Sequence, residues 1–211
     1  MPHSASFAGA ILAAGESSRM GTDKALLPWP PSSSGQAPSG ETFLSTAIRS
    51  LSLATDFVLV VAGKNEAALA PIAYAGGAVI VVNPNPDRGQ FSSLQIGLHE
   101  VLNRGRDTAI ITLVDRPPAS TTTVQALRDA YEGAGKNSWA VVPEYSGKHG
   151  HPFVAGREMI EAFLQAPPTS TARDVEHRHQ DHVLYLPLDD PFVAVNINTP
   201  DDYSALSMRA H

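Results

Sequence analysis

Five continuous apolar runs, at residues 8–12, 57–61, 78–82, 109–114 and 139–142, recur along the chain with stretches of helical character between them. A strand that is apolar throughout needs cover on both faces, unlike one that alternates apolar and polar residues. The pattern therefore predicts an α/β domain with a mostly parallel sheet. Its covering helices are expected at 42–53, 66–73, 91–103, 121–132 and 156–166. Right-handed crossovers then bring the carboxyl ends of the strands to one edge, where open sheets of this kind bind ligands. After Pro167-Pro168 the pattern changes to a polar helical stretch at 171–179 and short strands at 183–186 and 193–197. A closing helix follows, with Asn198 as N-cap candidate, Pro200 in the first turn, and Asp201 and Asp202 near its positive end.

A chain of 211 residues suits one domain over 1–211, with the Pro-, Ser- and Gly-rich segment 30–40 expected as a mobile surface insertion. The net charge of −6 comes with no basic stretch that could track a nucleic-acid backbone, so no nucleic-acid partner is expected. A polyphosphate would have to be held by a few local cations, backbone N–H groups and a metal. The absence of cysteine excludes disulfides, thiolate metal sites and cysteine nucleophiles. Met1-Pro2-His3-Ser4 lacks a basic leader region and no apolar run reaches membrane-span length, which makes the cytoplasm the expected compartment and a membrane no partner.

Directly after the first predicted strand comes Leu12-Ala13-Ala14-Gly15-Glu16-Ser17-Ser18-Arg19-Met20-Gly21-Thr22-Asp23-Lys24. Small residues let the backbone approach a bound group, and Arg19 and Lys24 suit phosphate oxygens. The loop is neither a P-loop nor a dinucleotide fingerprint. Its alternative reading is an ordinary turn with solvated charges.

Asp115 ends the fourth predicted strand, and Arg116-Pro117-Pro118 stops that strand from continuing, which presents a carboxylate at the ligand edge. One carboxylate, substrate phosphates and water suffice for Mg²⁺, although a turn-capping Asp is the plainer reading. In a strand at 193–197, alternation would place Asn196 and Asn198 on one face, so that an amide oxygen, Asn198 ahead of Asn196, could complete the metal site. The loop from Asn83 to Gly89 feeds a helix whose first-turn Ser92 and Ser93 either cap it or touch a ligand. His151 follows a glycine-rich turn as either a loop hydrogen-bonder or a catalyst. His177, His179 and His182, with Asp174, Glu176 and Asp181, match no zinc spacing and read as a solvated helix and turn.

As a whole, the loop at 12–24 with Leu26-Leu27-Pro28 resembles the molybdenum cofactor nucleotidyltransferase family, within the wider group of Rossmann-like NTP transferases. Asn83, Gly89, Leu113-Val114-Asp115-Arg116-Pro117, Gly150-His151-Pro152 and Asn196-Ile197-Asn198-Thr199-Pro200-Asp201 extend the resemblance over nearly the full chain. It implies a single three-layer domain of the nucleotide-diphospho-sugar transferase type. It also implies nucleotide binding by Leu12, Ala13, Ala14, Gly15, Arg19, Lys24, Asn83, Gly89, Ser92 and Ser93, Mg²⁺ on Asp115 and Asn198, and His151 on the acceptor side. Lys24, Arg19 and Asp115 then form the catalytic set for NMP transfer from an NTP to a phosphorylated acceptor, molybdopterin, with pyrophosphate released. A molybdoenzyme or its chaperone is the implied protein partner.

The Ala14 Cβ occupies space that glycine would leave open, which favours the smaller pyrimidine ring. In the resembled family Leu-Ala-Ala-Gly accompanies cytidylyl transfer and Leu-Ala-Gly-Gly guanylyl transfer, so CTP is the expected donor. Arg116 departs from relatives that carry an apolar or amide residue after the Asp, which bears on acceptor preference. A sugar-phosphate or alcohol-phosphate nucleotidyltransferase and a non-catalytic nucleotide-binding module are the other readings.

Overall fold

The computed structural model describes residues 5–31, 40–135 and 137–206, so residues 32–39 of the expected insertion lie outside the described residues. Alternation along β1 (Phe7–Leu12) sends Ala8, Ala10 and Leu12 to one face of the sheet and Phe7 and Ile11 to the other. In chain order there follow α1 (Phe43–Ser52), β2 (Phe57–Ala62), α2 (Glu66–Ala75), β3 (Val79–Val82), α3 (Gln90–Asn103), β4 (Thr108–Leu113) and α4 (Thr121–Gly133). The second half adds β5 (Ala140–Tyr145), β6 (Lys148–His149), β7 (Phe153–Ala155), α5 (Arg157–Gln165), α6 (Ala172–Arg178), β8 (Val183–Pro187) and α7 (Pro200–Leu206).

The eight strands join one sheet in the order β3-β2-β1-β4-β7-β5, with the short β6 and β8 also paired to β5. Helices α3, α5 and α6 cover one face and α1, α2 and α4 the other, which gives the expected three layers. A third apolar cluster lies beyond the sheet edge, where Met20, Leu27, Phe43, Ile197 and Leu206 pack together with Trp29 and Tyr203. It ties the glycine-rich loop to the C-terminal helix. Among the described residues no helix is long and apolar enough to cross a membrane.

The structure adds a strand that the apolar pattern does not announce and corrects one expectation. Ser146 and Gly147 both adopt positive φ, 49° and 74°, the geometry of a two-residue turn that reverses the chain. The chain after it therefore runs antiparallel to β5, first as β6 and then, past Gly150-His151-Pro152, as β7, which inserts between β4 and β5. Residues 193–197 are not a strand. Asp190 accepts a hydrogen bond from Phe192 N and starts a short 3₁₀ turn, Pro191–Ala194. The backbone beyond bonds to loops instead of a sheet: His151 N donates to Val193 O at 2.9 Å and Ile197 N to Asp115 O at 2.8 Å.

Candidate active site

The carboxyl ends of β1, β2 and β3 converge on the first loop. Gly63 permits the approach, since a Cβ there would stand 2.8 Å from Ala14 O and 3.2 Å from the Pro86 side chain. Asn65, one turn further on, locks it: Nδ2 donates to Ala13 O at 2.9 Å and to Asp23 Oδ2 at 2.6 Å, while Oδ1 accepts from Gly63 N at 3.0 Å. Asp23 also caps the short helix Lys24–Leu26 through Ala25 N, and Ser17 Oγ accepts from Lys24 N at 3.1 Å. Sequence reasoning missed both Asn65 and Asp23 as supports of the loop, because neither touches the loop through a local motif. Gly15 is exposed with open space where a Cβ would lie, so its backbone is free to meet a ligand.

Arg19 and Lys24 of this loop meet the segment that leads into α7. Arg19 Nη2 donates to Asn198 Oδ1 at 3.5 Å, a long bond, and Asn198 follows Ile197, whose N–H holds the Asp115 carbonyl. Lys24 is buried, and its charge reaches Asp202 at the start of α7. The Asp202 carboxyl is held below its ordinary pKa first by hydrogen bonds from the backbone N–H groups of Asn198 and Thr199, then by the Thr199 side chain, and last by Lys24. Those bonds form a capping box between Thr199 and Asp202: Thr199 N donates to Asp202 Oδ2 at 2.9 Å, and Asp202 N to Thr199 Oγ1 at 3.2 Å. Thr199, not Asn198, is thus the cap of α7, and the Asn198 side-chain oxygen is left to accept from Arg19.

Asp115 lies just past β4, half-buried, with Oδ1 enclosed and without a hydrogen-bond partner. A buried carboxylate oxygen is costly without a cation or donor, so the donor set fits a hard divalent cation that brings further ligands from substrate and water. Among the described residues no three His, Cys, Asp or Glu side chains group to hold a metal alone.

Asn83, Ser92 and Ser93 form a separate buried network. Asn83 Nδ2 donates to Ser92 Oγ at 3.0 Å and Ser93 Oγ at 2.9 Å, Asn83 Oδ1 accepts from Asn85 N, and Ser92 Oγ donates to Gly89 O. These bonds brace the loop that presents Gly89, whose φ of 92° and ψ of 171° suit glycine alone.

Beyond the loop opens a cleft of about 1010 Å³. Leu12, Leu94, Ile111, Val142, Phe153 and Phe163 make its apolar floor; Gly89 and His151 line it with Arg88, Arg116, Lys148 and Arg173. Glu176 and His177 also face this cleft, so α6 is not the wholly solvated helix expected. Arg173, Glu176 and His177 sit at i, i+3 and i+4, a spacing that gives one shared helix face. His179 and His182 instead pack on Trp139, with ring centroids 5.0 and 4.1 Å away.

His151 has Nδ1 buried without a partner. Burial, and then the nearby Arg116 charge, lower its pKa to about 3, so the ring is neutral at pH 7. A histidine with a folded pKa below its unfolded value stabilises the fold fully above the unfolded pKa of about 6.5, and loses that stabilisation as pH falls toward 3. We expect urea unfolding of the wild type to weaken from pH 6.5 to 4 faster than that of His151→Gln, the slopes differing by up to about 1.4 kcal/mol per pH unit. Parallel pH profiles would show that His151 is already free to protonate in the fold.

Residues 9–183 match the MobA-like NTP transferase domain. The chain is 32% identical over 133 residues to a protein of Rhodopirellula baltica named "Probable molybdenum cofactor guanylyltransferase", a match covering 62% of this chain and 59% of that relative. It is 26% identical over 200 residues to the molybdenum cofactor cytidylyltransferase of Escherichia coli, covering 94% of each. The crystal structure of Rv0371c from Mycobacterium tuberculosis superposes with a TM-score of 0.77 at 25% identity, covering 95% of this chain and 97% of that one. The chain belongs to the MobA-like NTP transferase domain family.

Proposed function

We propose that this chain transfers CMP from CTP to a phosphorylated acceptor, molybdopterin, with Mg²⁺ as cofactor and pyrophosphate as the second product. The observation that carries the reading is the unpartnered Asp115 Oδ1, on a residue whose carbonyl holds Ile197 N, next in the chain to the Asn198 that Arg19 of the first loop reaches. An acceptor phosphate oxygen attacks the α-phosphorus in line; the new P–O bond forms as the bond to the β-phosphate bridging oxygen breaks, and the electron pair leaves with pyrophosphate. A phosphate monoester is largely ionised near neutrality, so no side chain has to remove a proton. Bound at Asp115 and Asn198, Mg²⁺ would supply charge neutralisation for the phosphates. Lys24 and Arg19 offset the charge that gathers on the leaving pyrophosphate, and the Asn65 lock keeps the loop backbone in place for the nucleotide. The phenylalanine-lined floor favours a flat, ring-bearing acceptor over a small sugar or alcohol phosphate.

The donor base is the sharpest test, because the two curated relatives carry different base names. Ala14 is buried against Gly63, and the CTP reading assigns its Cβ the space that a larger base would need. Competition between CTP and GTP, with Mg²⁺ and molybdopterin, should favour CTP by roughly tenfold to a few hundredfold, and Ala14→Gly should shrink that ratio. A GTP preference overturns the donor assignment. Nucleotide binding with no acceptor-dependent pyrophosphate release would make the chain a binding module.

A further inference from the structure

Arg116 and His151 line the cleft and each has a buried nitrogen without a partner, Nε and Nδ1, while the neighbouring Asp115 has Oδ1 buried in the same way. The carboxylate oxygen suits a cation, but the two nitrogens call for something else. Arg116 Nη1 reaches the carbonyls of Val193 and Val195 at 3.4 and 3.5 Å, which orients the guanidinium plane without satisfying it. Burial lowers the Arg116 pKa and the Asp115 charge works against that; a guanidinium so far above neutrality stays protonated in any case. A half-buried guanidinium with an empty Nε–H donor is expensive until an anion meets it. It lines the cleft next to the apolar Ile111 and Leu113, where water gives little screening.

We propose that Arg116 is the anion clamp that receives the acceptor's phosphate, with the neutral His151 ring donating from Nδ1 to the same group. The inference rests on the nucleotidyl-transfer reading for the word acceptor, but the clamp itself is a matter of local chemistry. Tetrahedral phosphate oxygens match the parallel Nε–H and Nη2–H donors of one guanidinium edge. A carbonyl or amide would leave the charge uncompensated.

The probes are inorganic phosphate, titrated into protein whose nucleotide loop is filled with CTP, and CTP with Mg²⁺ by itself. Arg116→Gln should weaken phosphate binding by roughly tenfold to a hundredfold and change CTP affinity by less than about threefold. Arg116→Lys should recover only part of the loss, since an ammonium lacks the fork. In wild-type protein the assigned ¹⁵Nε–¹H NMR signal of Arg116 should move saturably with phosphate, which decides the matter even if the variants do not fold. An unmoved signal, or equal phosphate binding by wild type and Arg116→Gln, overturns the clamp. A loss of CTP affinity equal to the loss for phosphate also overturns it, by placing Arg116 on the triphosphate. Failure of wild-type protein to bind CTP would sink the nucleotidyl-transfer reading alone, with phosphate then titrated without nucleotide.

Discussion

Replacing Asp115 by Asn is expected to lower acceptor-dependent turnover by roughly a hundredfold or more while the protein becomes no less stable. The two halves of this result have one cause. Asp115 Oδ1 is enclosed with no hydrogen-bond donor to meet it, so the folded protein carries the cost of an unsatisfied carboxylate oxygen that a bound cation would meet. Asn keeps the shape and removes the charge, which takes away that cost together with the affinity for a divalent cation. Stability and activity should therefore move apart, as they do at a residue strained for function. Thermal unfolding and pyrophosphate release, measured on one preparation, check both. A folded variant with normal turnover removes Asp115 from the chemistry, and an unfolded one makes it a structural residue.

The parallel half of the molecule could be read from sequence because its information is local. Runs such as Ala-Ile-Ile-Thr-Leu at 109–113 are buried on both faces in the structure, and burial on both faces is what a continuous apolar run demands. The glycine-rich loop was legible for the same reason: its residue types and spacing lie within one stretch of chain. What the sequence withheld depends on pairing at a distance. Ser146-Gly147 is a turn signal, but whether the following strand pairs outside β5 or inserts beside β4 is decided by the surface α4 and α5 leave open. The segment at 193–197 has a strand-like composition, yet its N–H and C=O groups go to Asp115 and His151, which no periodicity announces. Asn65 and Asp23 are separated by 42 positions and meet at 2.6 Å. The cap of α7 shows the limit at its smallest: Asn198 and Thr199 are both capping residues by type, and the position of Asp202 decides between them.

The strap at 191–198 gives the second large prediction, through Gly150. A Cβ on this residue would overlap the Val193 carbonyl carbon and oxygen, which are backbone atoms that no rotamer change can move aside. The strap cannot simply shift, because its backbone also holds the site: Val193 O accepts from His151 N at 2.9 Å, Val193 O and Val195 O face Arg116, and Ile197 N reaches Asp115 O at 2.8 Å. Gly150→Ala should then cost roughly 3 kcal/mol or more, and the molecules that still fold should turn over acceptor poorly because three site residues are displaced together. Gly156→Ala is the matched control. Its Cβ would overlap the hydroxyl and ring edge of Tyr131, a side chain and not backbone, on the sheet face away from the cleft, so overpacking there should cost on the order of 1 to 3 kcal/mol and leave the cleft intact. Urea unfolding and acceptor-dependent rates for the pair separate the two effects. If Gly150→Ala is as stable and as active as Gly156→Ala, the strap is free to move, and the alignment of Asp115, Arg116 and His151 has to come from the sheet alone.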